Sequence, residues 1–306
     1  MANNRKTILV PLDRSKFAEC ALPMALSIAR RLGGQVGLVS VSTKRRKRRK
    51  IDHVSISPDE INLIDEVASN YLDQVSARIA ESSDVPVFTM VLPGRPAAAL
   101  VKHAKTHHPD LIVMSTHGRG PFSHYWLGSV ADSVVRRVAT PVLLVRPQPE
   151  CRPEFDDKRR CRHIVVPLDG SNLAEESLEW AKMLGETQTE YSLVQVTPCS
   201  VTAWLHQPDV DAKDTSELVA VARDNAADYL SSVKRALENS GLSVKTIIED
   251  SKPPAVGILD AAERLAADIV VISTHGRGGF RRLVLGGVVD KVIRASHIPV
   301  LAVKPE

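Results

Sequence analysis

A chain that repeats itself can fold only as its repeated unit allows, and this one repeats itself nearly from end to end. The segment Thr7-Ile-Leu-Val-Pro-Leu-Asp13-Arg-Ser15 returns 156 residues later as His163-Ile-Val-Val-Pro-Leu-Asp169-Gly-Ser171. Asp110-Leu-Ile-Val-Met-Ser-Thr-His-Gly-Arg-Gly120 returns as Asp268-Ile-Val-Val-Ile-Ser-Thr-His-Gly-Arg-Gly278, 158 residues on. Thr140-Pro-Val-Leu-Leu-Val-Arg-Pro147 returns at the same distance as Ile298-Pro-Val-Leu-Ala-Val-Lys-Pro305. Three blocks in one order, with two residues of drift, mark a duplication. The 306 residues are enough for two domains with a core each. The expected division is a first copy over 1–147, a polar linker over 148–162 and a second copy over 163–306.

Within the first copy, short apolar runs lie near Ile8–Leu12, Val36–Val41, Val85–Leu92, Leu111–Met114 and Val142–Val145. They are continuous rather than alternating, as strands buried on both faces are. Helical patterns fill the gaps: Ser15 to Leu32, Pro58 to Ser82, Pro96 to Thr106 and Ser129 to Val138, with the second copy's long helix at about Thr215 to Asn239. Strands alternating with helices predict an α/β fold of two tandem, doubly wound, five-stranded parallel sheets. The last strands, Pro141–Val145 and Pro299–Val303, are short and apolar, and each copy can supply the other with an edge to pair with.

Several classes are excluded. No run of about 18 apolar residues exists to cross a membrane. The first residues lead into a strand without a secretory h-region, and the four cysteines (Cys20, Cys151, Cys161, Cys199) form no CxxC or zinc spacing. A cytoplasmic protein with reduced thiols is therefore expected. The net charge of +4 is misleading, because Lys44 to Lys50 alone carries seven cations and the remainder is net acidic. That run has three readings: a solvated charge segment, a nucleic-acid contact, or a lid over a bound nucleotide. No aromatic residue interleaves with it, which argues against a base-stacking platform.

In an open parallel sheet, ligands bind beyond the carboxyl ends of the strands, where the strand order reverses. The repeated polar residues fall there. Asp13 follows the first strand and can accept from a ribose hydroxyl or an adenine amine, or merely cap a helix. Ser115-Thr-His-Gly-Arg-Gly120 follows the fourth strand, and Gly128-Ser129 opens the next helix. Glycines admit a phosphate to main-chain N–H groups, Ser129 adds a hydroxyl and Arg119 a charge-assisted bond. Gly118 and Gly120 can equally be turn glycines, and His117 and His275 read as hydrogen-bonded loop residues. His103 and His107 stand four apart on a helix but lack a metalloprotease glutamate, so they read as a surface pair and no metal is expected. There is no P-loop and no nucleophile elbow.

On these residues the chain resembles a tandem member of the universal stress protein family, over nearly the whole of both copies. Nucleotide-binding members carry Gly-x-x-Gly, nine residues, then Gly-Ser or Gly-Thr. The first copy has Ser115-Thr-His-Gly118, nine residues, then Gly128-Ser129; the second has Ser273-Thr-His-Gly276, nine residues, then Gly286-Gly287. The resemblance implies a strand order of 3-2-1-4-5 in an adenine-nucleotide alpha-hydrolase-like fold, pairing of the two domains through their last strands, and a possible homodimer. It implies binding of ATP or another adenine nucleotide, with Mg as an accompanying ion, for stress-response regulation. Catalysis is not the implied role; hydrolysis or self-phosphorylation would be slow and secondary. The implied site comprises Pro11, Asp13, Val41, Ser115, Gly118, Arg119, Gly128 and Ser129 in copy one. In copy two it comprises Pro167, Asp169, Val196, Ser273, Gly276, Arg277, Gly286 and Gly287. Both copies put serine for the first glycine, and Gly287 lacks the hydroxyl of Ser129, so the second site is expected to be weaker. These departures also leave open a dimerising interaction module without nucleotide.

Overall fold

The computed structural model describes residues 5–42, 58–116, 127–147, 155, 161–197, 212–250, 252–275 and 285–305, of which 58–62 and 212–218 as backbone. Two compact units divide between Arg159 and Arg160. Unit one contains β1 (Thr7–Pro11), α1 (Lys16–Glu19), α2 (Leu22–Arg31), β2 (Gln35–Ser42), α3 (Pro58–Ala80), β3 (Val87–Pro93), α4 (Pro96–His107), β4 (Leu111–Ser115), α5 (Ser129–Arg137) and β5 (Val142–Val145). Unit two contains β6 (His163–Pro167), α6 (Asn172–Leu184), β7 (Glu190–Val196), α7 (Ala212–Glu238), β8 (Ser243–Glu249), α8 (Pro254–Arg264), β9 (Ile269–Ser273), α9 (Gly287–Ala295) and β10 (Val300–Val303).

All pairings within each unit are parallel. Unit one runs β3-β2-β1-β4-β5, and unit two runs β8-β7-β6-β9-β10. This is the order 3-2-1-4-5 twice over, so the α/β architecture read from the alternating runs is the one found. The central strands are fully buried: Ile8, Leu9 and Val10 of β1, and Ile164, Val165 and Val166 of β6, are each at most 1% exposed. The apolar runs were continuous because helices cover both faces.

The same aspartate joins the middle strands in each copy. Asp110, just before β4, accepts from the Thr7 amide at 2.8 Å and pairs with Lys6 at 2.7 Å. Asp268, just before β9, accepts from the amides of Arg162 and His163 at 2.7 and 2.9 Å. A second repeated bond ties the first helical segment to the long crossover helix. Tyr71 of α3 donates to Glu19, and Tyr229 of α7 donates to Glu175, both at 2.9 Å. In unit one Arg78 adds an ion pair to the buried Glu19 and stands 4.6 Å over the ring of Phe155. Phe155 lies in the stretch read as a linker, yet only 7% of it is exposed.

Some boundaries differ from the sequence reading. The helix expected from Ser15 to Leu32 is broken into α1 and α2, whereas α6 is continuous. Pro23 explains the break, since it lacks an N–H and its ring crowds the preceding turn; Glu179 stands at the matching place in α6. β3 starts at Val87, not Val85, because Pro86 cannot donate to the ladder. One cysteine differs from the expectation of reduced thiols: Cys20 is disulfide-bonded, whereas Cys161 is a buried thiol.

The expected surface pair on α4 is not one. His103 is 7% exposed, and its ring stacks on His107 with centroids 4.2 Å apart and planes 18° from parallel. Burial, and then the neighbouring His107, hold the His103 pKa below the usual histidine value. A histidine whose folded pKa lies below its unfolded value of about 6.5 stabilises the fold above that pH, and this contribution is lost as pH falls. Urea midpoints at pH 8, 6 and 5 should therefore fall with acidity, and less steeply in His103→Phe, which keeps the stack. Parallel curves for the two proteins would remove His103 from the account.

Candidate functional site

β1 and β4 are neighbours, but the chain leaves β1 towards β2 and arrives at β4 from β3, so a crevice opens at their carboxyl ends. The structure brings six of the expected unit-one residues to that edge. Pro11 closes β1, and the Leu12 amide extends the ladder by donating to Val39 at 2.7 Å, which sets Asp13 next to the end of β2 and Val41. Ser115 closes β4. Thr116 donates to Val145 at 2.9 Å and accepts from the Gly128 amide at 2.8 Å, which draws the start of α5 and Ser129 onto the same edge. Gly118 and Arg119 lie outside the described residues, as do His117, Gly276, Arg277 and the basic run Lys44–Lys50.

Asp13 performs the capping that its sequence position allowed. Its Oδ1 accepts from the Ser15 amide at 3.0 Å and the Ser15 hydroxyl at 2.5 Å, while Ser15 Oγ accepts from the Ala18 amide at 3.2 Å. Asp169, Ser171 and Ala174 repeat the arrangement at 3.0, 2.6 and 3.2 Å. The carboxylate is thereby fixed at the mouth of the crevice and remains an acceptor. Behind it, burial, followed by the Glu19 charge and hydrogen bond and the Asp13 charge, raises the Tyr71 pKa. Tyr71 therefore stays protonated and serves as a donor.

The helix starts are the electropositive side of the site. α5 has Gly128 as its N-cap and no side-chain cap, so its first amides are not taken up by a capping side chain. Asp132 in its first turn opposes an anion, but Arg136 pairs with it at 3.1 Å. Unit two repeats this with Gly286 and with Asp290–Arg294 at 2.8 Å. A Cβ at Gly286 would stand 3.1 Å from the Thr274 carbonyl, whereas one at Gly287 would meet nothing within 4 Å. The hydroxyl that Ser129 supplies is thus missing from unit two for no steric reason. Pro167, Asp169, Val196 and Ser273 hold the matching places. Ser273 Oγ, however, donates to the His275 carbonyl at 2.9 Å, so this serine is committed to its own loop.

A polar network at the ends of β7 and β8 was not foreseen from the sequence. Thr197 donates to Asp250 at 2.6 Å, and Asp250 is paired with Arg223 of α7. Glu249 is paired with Arg264, and Lys252 with Asp260 at 2.7 Å; the Asp260 hydrogen bond raises the Lys252 pKa. Among the described residues no group of three or more His, Cys, Asp or Glu could hold a metal ion, and no helix is long and apolar enough to cross a membrane.

Between Asp13 and Ser15 the backbone differs in cost. Arg14 has φ +68°, while Gly170 adopts φ +81° in unit two. A left-handed side-chain-bearing residue costs about 1–2 kcal/mol, partly offset by the extra freedom glycine has when unfolded. Arg14→Gly should raise the melting temperature by about 1–3 °C and Gly170→Arg should lower it; calorimetry showing the reverse order would contradict the strain.

Comparison with known proteins gives one family. The model of the universal stress protein family matches residues 4–146 and again 160–304. A universal stress protein of Methanocaldococcus jannaschii is 31% identical over 145 residues, covering 47% of this chain and 82% of that protein. Universal stress protein E of Escherichia coli is 23% identical, over 98% of this chain and 94% of its own. Among solved structures, a universal stress protein from Archaeoglobus fulgidus superposes with a TM-score of 0.72 at 22% identity, covering 98% of this chain and 99% of that one.

Proposed function

The chain belongs to the universal stress protein family, in tandem form, and from that premise we propose that it is a stress-response regulator that binds an adenine nucleotide, ATP foremost, with Mg as an accompanying ion. The observation that carries the reading is the pairing of an acceptor end with a donor end on one sheet edge. Asp13 is fixed at the end of β1, and the uncapped start of α5 lies beside the end of β4. A ribose or base suits the first and phosphates suit the second. Pro11, Val41 and Ser115 line the span between, and Gly118, Arg119, Gly128 and Ser129 hold the phosphates. Pro167, Asp169, Val196, Ser273, Gly276, Arg277, Gly286 and Gly287 form the weaker counterpart. The protein acts by being occupied rather than by turnover.

Cytoplasmic location, pairing of the copies through their last strands and a homodimer belong to the same reading; light scattering of the purified chain tests the homodimer. A second reading, an interaction module that binds no nucleotide, is favoured by the commitment of Ser273 to its own loop.

Denaturing the purified protein and identifying the released small molecule by mass spectrometry separates the two readings. Recovery of ATP supports the first, whereas a protein that is empty and ignores added ATP supports the second. Calorimetric titration should show a tighter site in unit one. Gly287→Ser should tighten the second site about three- to tenfold, because it adds one hydroxyl bond in open space. Two equal sites in the unaltered protein would contradict this asymmetry.

A further inference from the structure

The two units differ most at the ends of their second and third strands, and the tyrosine–glutamate bond lets that difference be read residue by residue. Tyr71 and Tyr229 make the same bond to Glu19 and Glu175. Six residues before each tyrosine, Asp65 of α3 therefore stands where Arg223 stands in α7. Strand register supplies the rest. β2 pairs with β3 up to Ser42↔Pro93, and β7 pairs with β8 up to Val196↔Glu249. Counting along the paired strands, Ser42 answers to Thr197 and Pro93 to Asp250.

In unit two these three places close on themselves. Thr197 donates to Asp250, and Arg223 is paired with the other oxygen of the same carboxylate. In unit one Pro93 takes the place of the central acceptor. Ser42, 3% exposed, is left with a hydroxyl that has no partner, and Asp65 with a buried Oδ1 that has none. An unpaired buried polar group costs about the desolvation free energy of that group, so a unit that keeps two of them at the places answering to the clasp of unit two is short of a ligand. In unit two the nearest orphaned atom is Gln195 Oε1, two residues earlier, within β7.

The geometry points to Ser42 and Asp65 as the specificity-determining contacts for the base of the nucleotide in unit one. The inference rests on the nucleotide reading above. Phosphates at the α5 start and a ribose beside Asp13 run across β4 and β1, so the base is the end that reaches β2 and β3. Adenine presents an exocyclic amine that donates and a ring nitrogen that accepts. The amine gives Asp65 Oδ1 its donor, and the ring nitrogen accepts from Ser42 Oγ. A base with a carbonyl in place of the amine would set oxygen against the carboxylate. The Thr197–Asp250–Arg223 clasp leaves the corresponding place in unit two with no free group.

The test compares ATP with inosine triphosphate, which carries that carbonyl, by calorimetry on the full chain. At the tighter site ATP should bind about tenfold or more tightly than inosine triphosphate. In Ser42→Ala/Asp65→Ala the ratio should collapse towards one while inosine triphosphate binding is retained. The melting temperature without nucleotide should stay level or rise, because orphaned groups have been removed; a merely structural role would lower it. Asp65→Arg/Pro93→Asp rebuilds the clasp and should abolish the tighter site. An unchanged ratio in the Ser42/Asp65 variant overturns the inference and leaves the nucleotide reading standing. Equal binding of the two nucleotides by the unaltered protein also overturns it. No binding of either nucleotide overturns the underlying reading, and the inference with it.

Discussion

Asp110 reaches across from the start of β4 to the amide of Thr7, and Asp268 does the same from β9 to the start of β6. These bonds matter more than their single-bond strength suggests. Parallel strands β1 and β4 come from distant parts of the sequence, and their ladder is short: Ile8↔Leu111 and Leu9↔Ile112. A slip of one residue would exchange the faces of β4 and carry Ser115 and Thr116 away from Asp13. The carboxylate at the amino end of the sheet thereby fixes which residues meet at the carboxyl end. The crevice, the placing of α5 through Thr116 and Gly128, and the distance from acceptor end to donor end all follow from that register.

The duplication shows which parts of the fold are obligatory and which are free to diverge. The aspartate clip, the Asp-x-Ser cap, the Tyr–Glu bond and the Asp–Arg pair on the fifth-strand helix recur in both units. They tie strand to strand, turn to helix, helix to helix, and the first turn of a helix to its next. The ends of the third strands do not recur. Unit one has Leu92, His103 and His107, a weakly polar and stacked arrangement. Counting from Pro96 and Pro253, unit two has Glu249, Asp260 and Arg264 there, held in ion pairs. The exchange is local: in unit one the two rings stack and His107 Nδ1 bonds the His103 carbonyl at 3.2 Å, while in unit two the three charged side chains are held in ion pairs.

How much could be read beforehand follows the same division. The repeat, the strands and the edge that carries the polar residues were legible, because burial on both faces imposes continuous apolar runs and a doubly wound sheet leaves one place for a crevice; the strand order came only with the family resemblance. Asp13 and Asp169 were legible only as far as an unresolved choice between capping and binding, and the structure shows the capping bonds formed. The break at Pro23 could have been foreseen from proline alone. The burial of His103 could not, because it depends on what α4 faces. Nor could the Thr197–Asp250–Arg223 clasp, whose three members lie 26 to 53 residues apart in sequence. The available signal was the tyrosine offset, which places Arg223 opposite Asp65, and it becomes usable only once the Tyr–Glu bonds are seen.

Orphaned groups connect stability with occupancy. A buried hydroxyl and a buried carboxylate oxygen without donors cost about 1–3 kcal/mol each, a large share of the 5–15 kcal/mol by which a domain is stable. Evolution could have removed that cost with an alanine and a leucine, or closed it as unit two does with three side chains. Unit one does neither. A ligand that supplies the missing partners recovers the cost only when bound, so its binding free energy includes the relief of a defect in the empty fold. On the proposed reading, binding and stability are coupled through the same two side chains, and nucleotide would stabilise unit one by mass action. Unit two carries its own partners for the same positions, so its stability does not depend on a base being present there. Two copies of one fold thus differ in kind at this place: one is completed by its own side chains, and the other keeps two buried polar atoms without a partner.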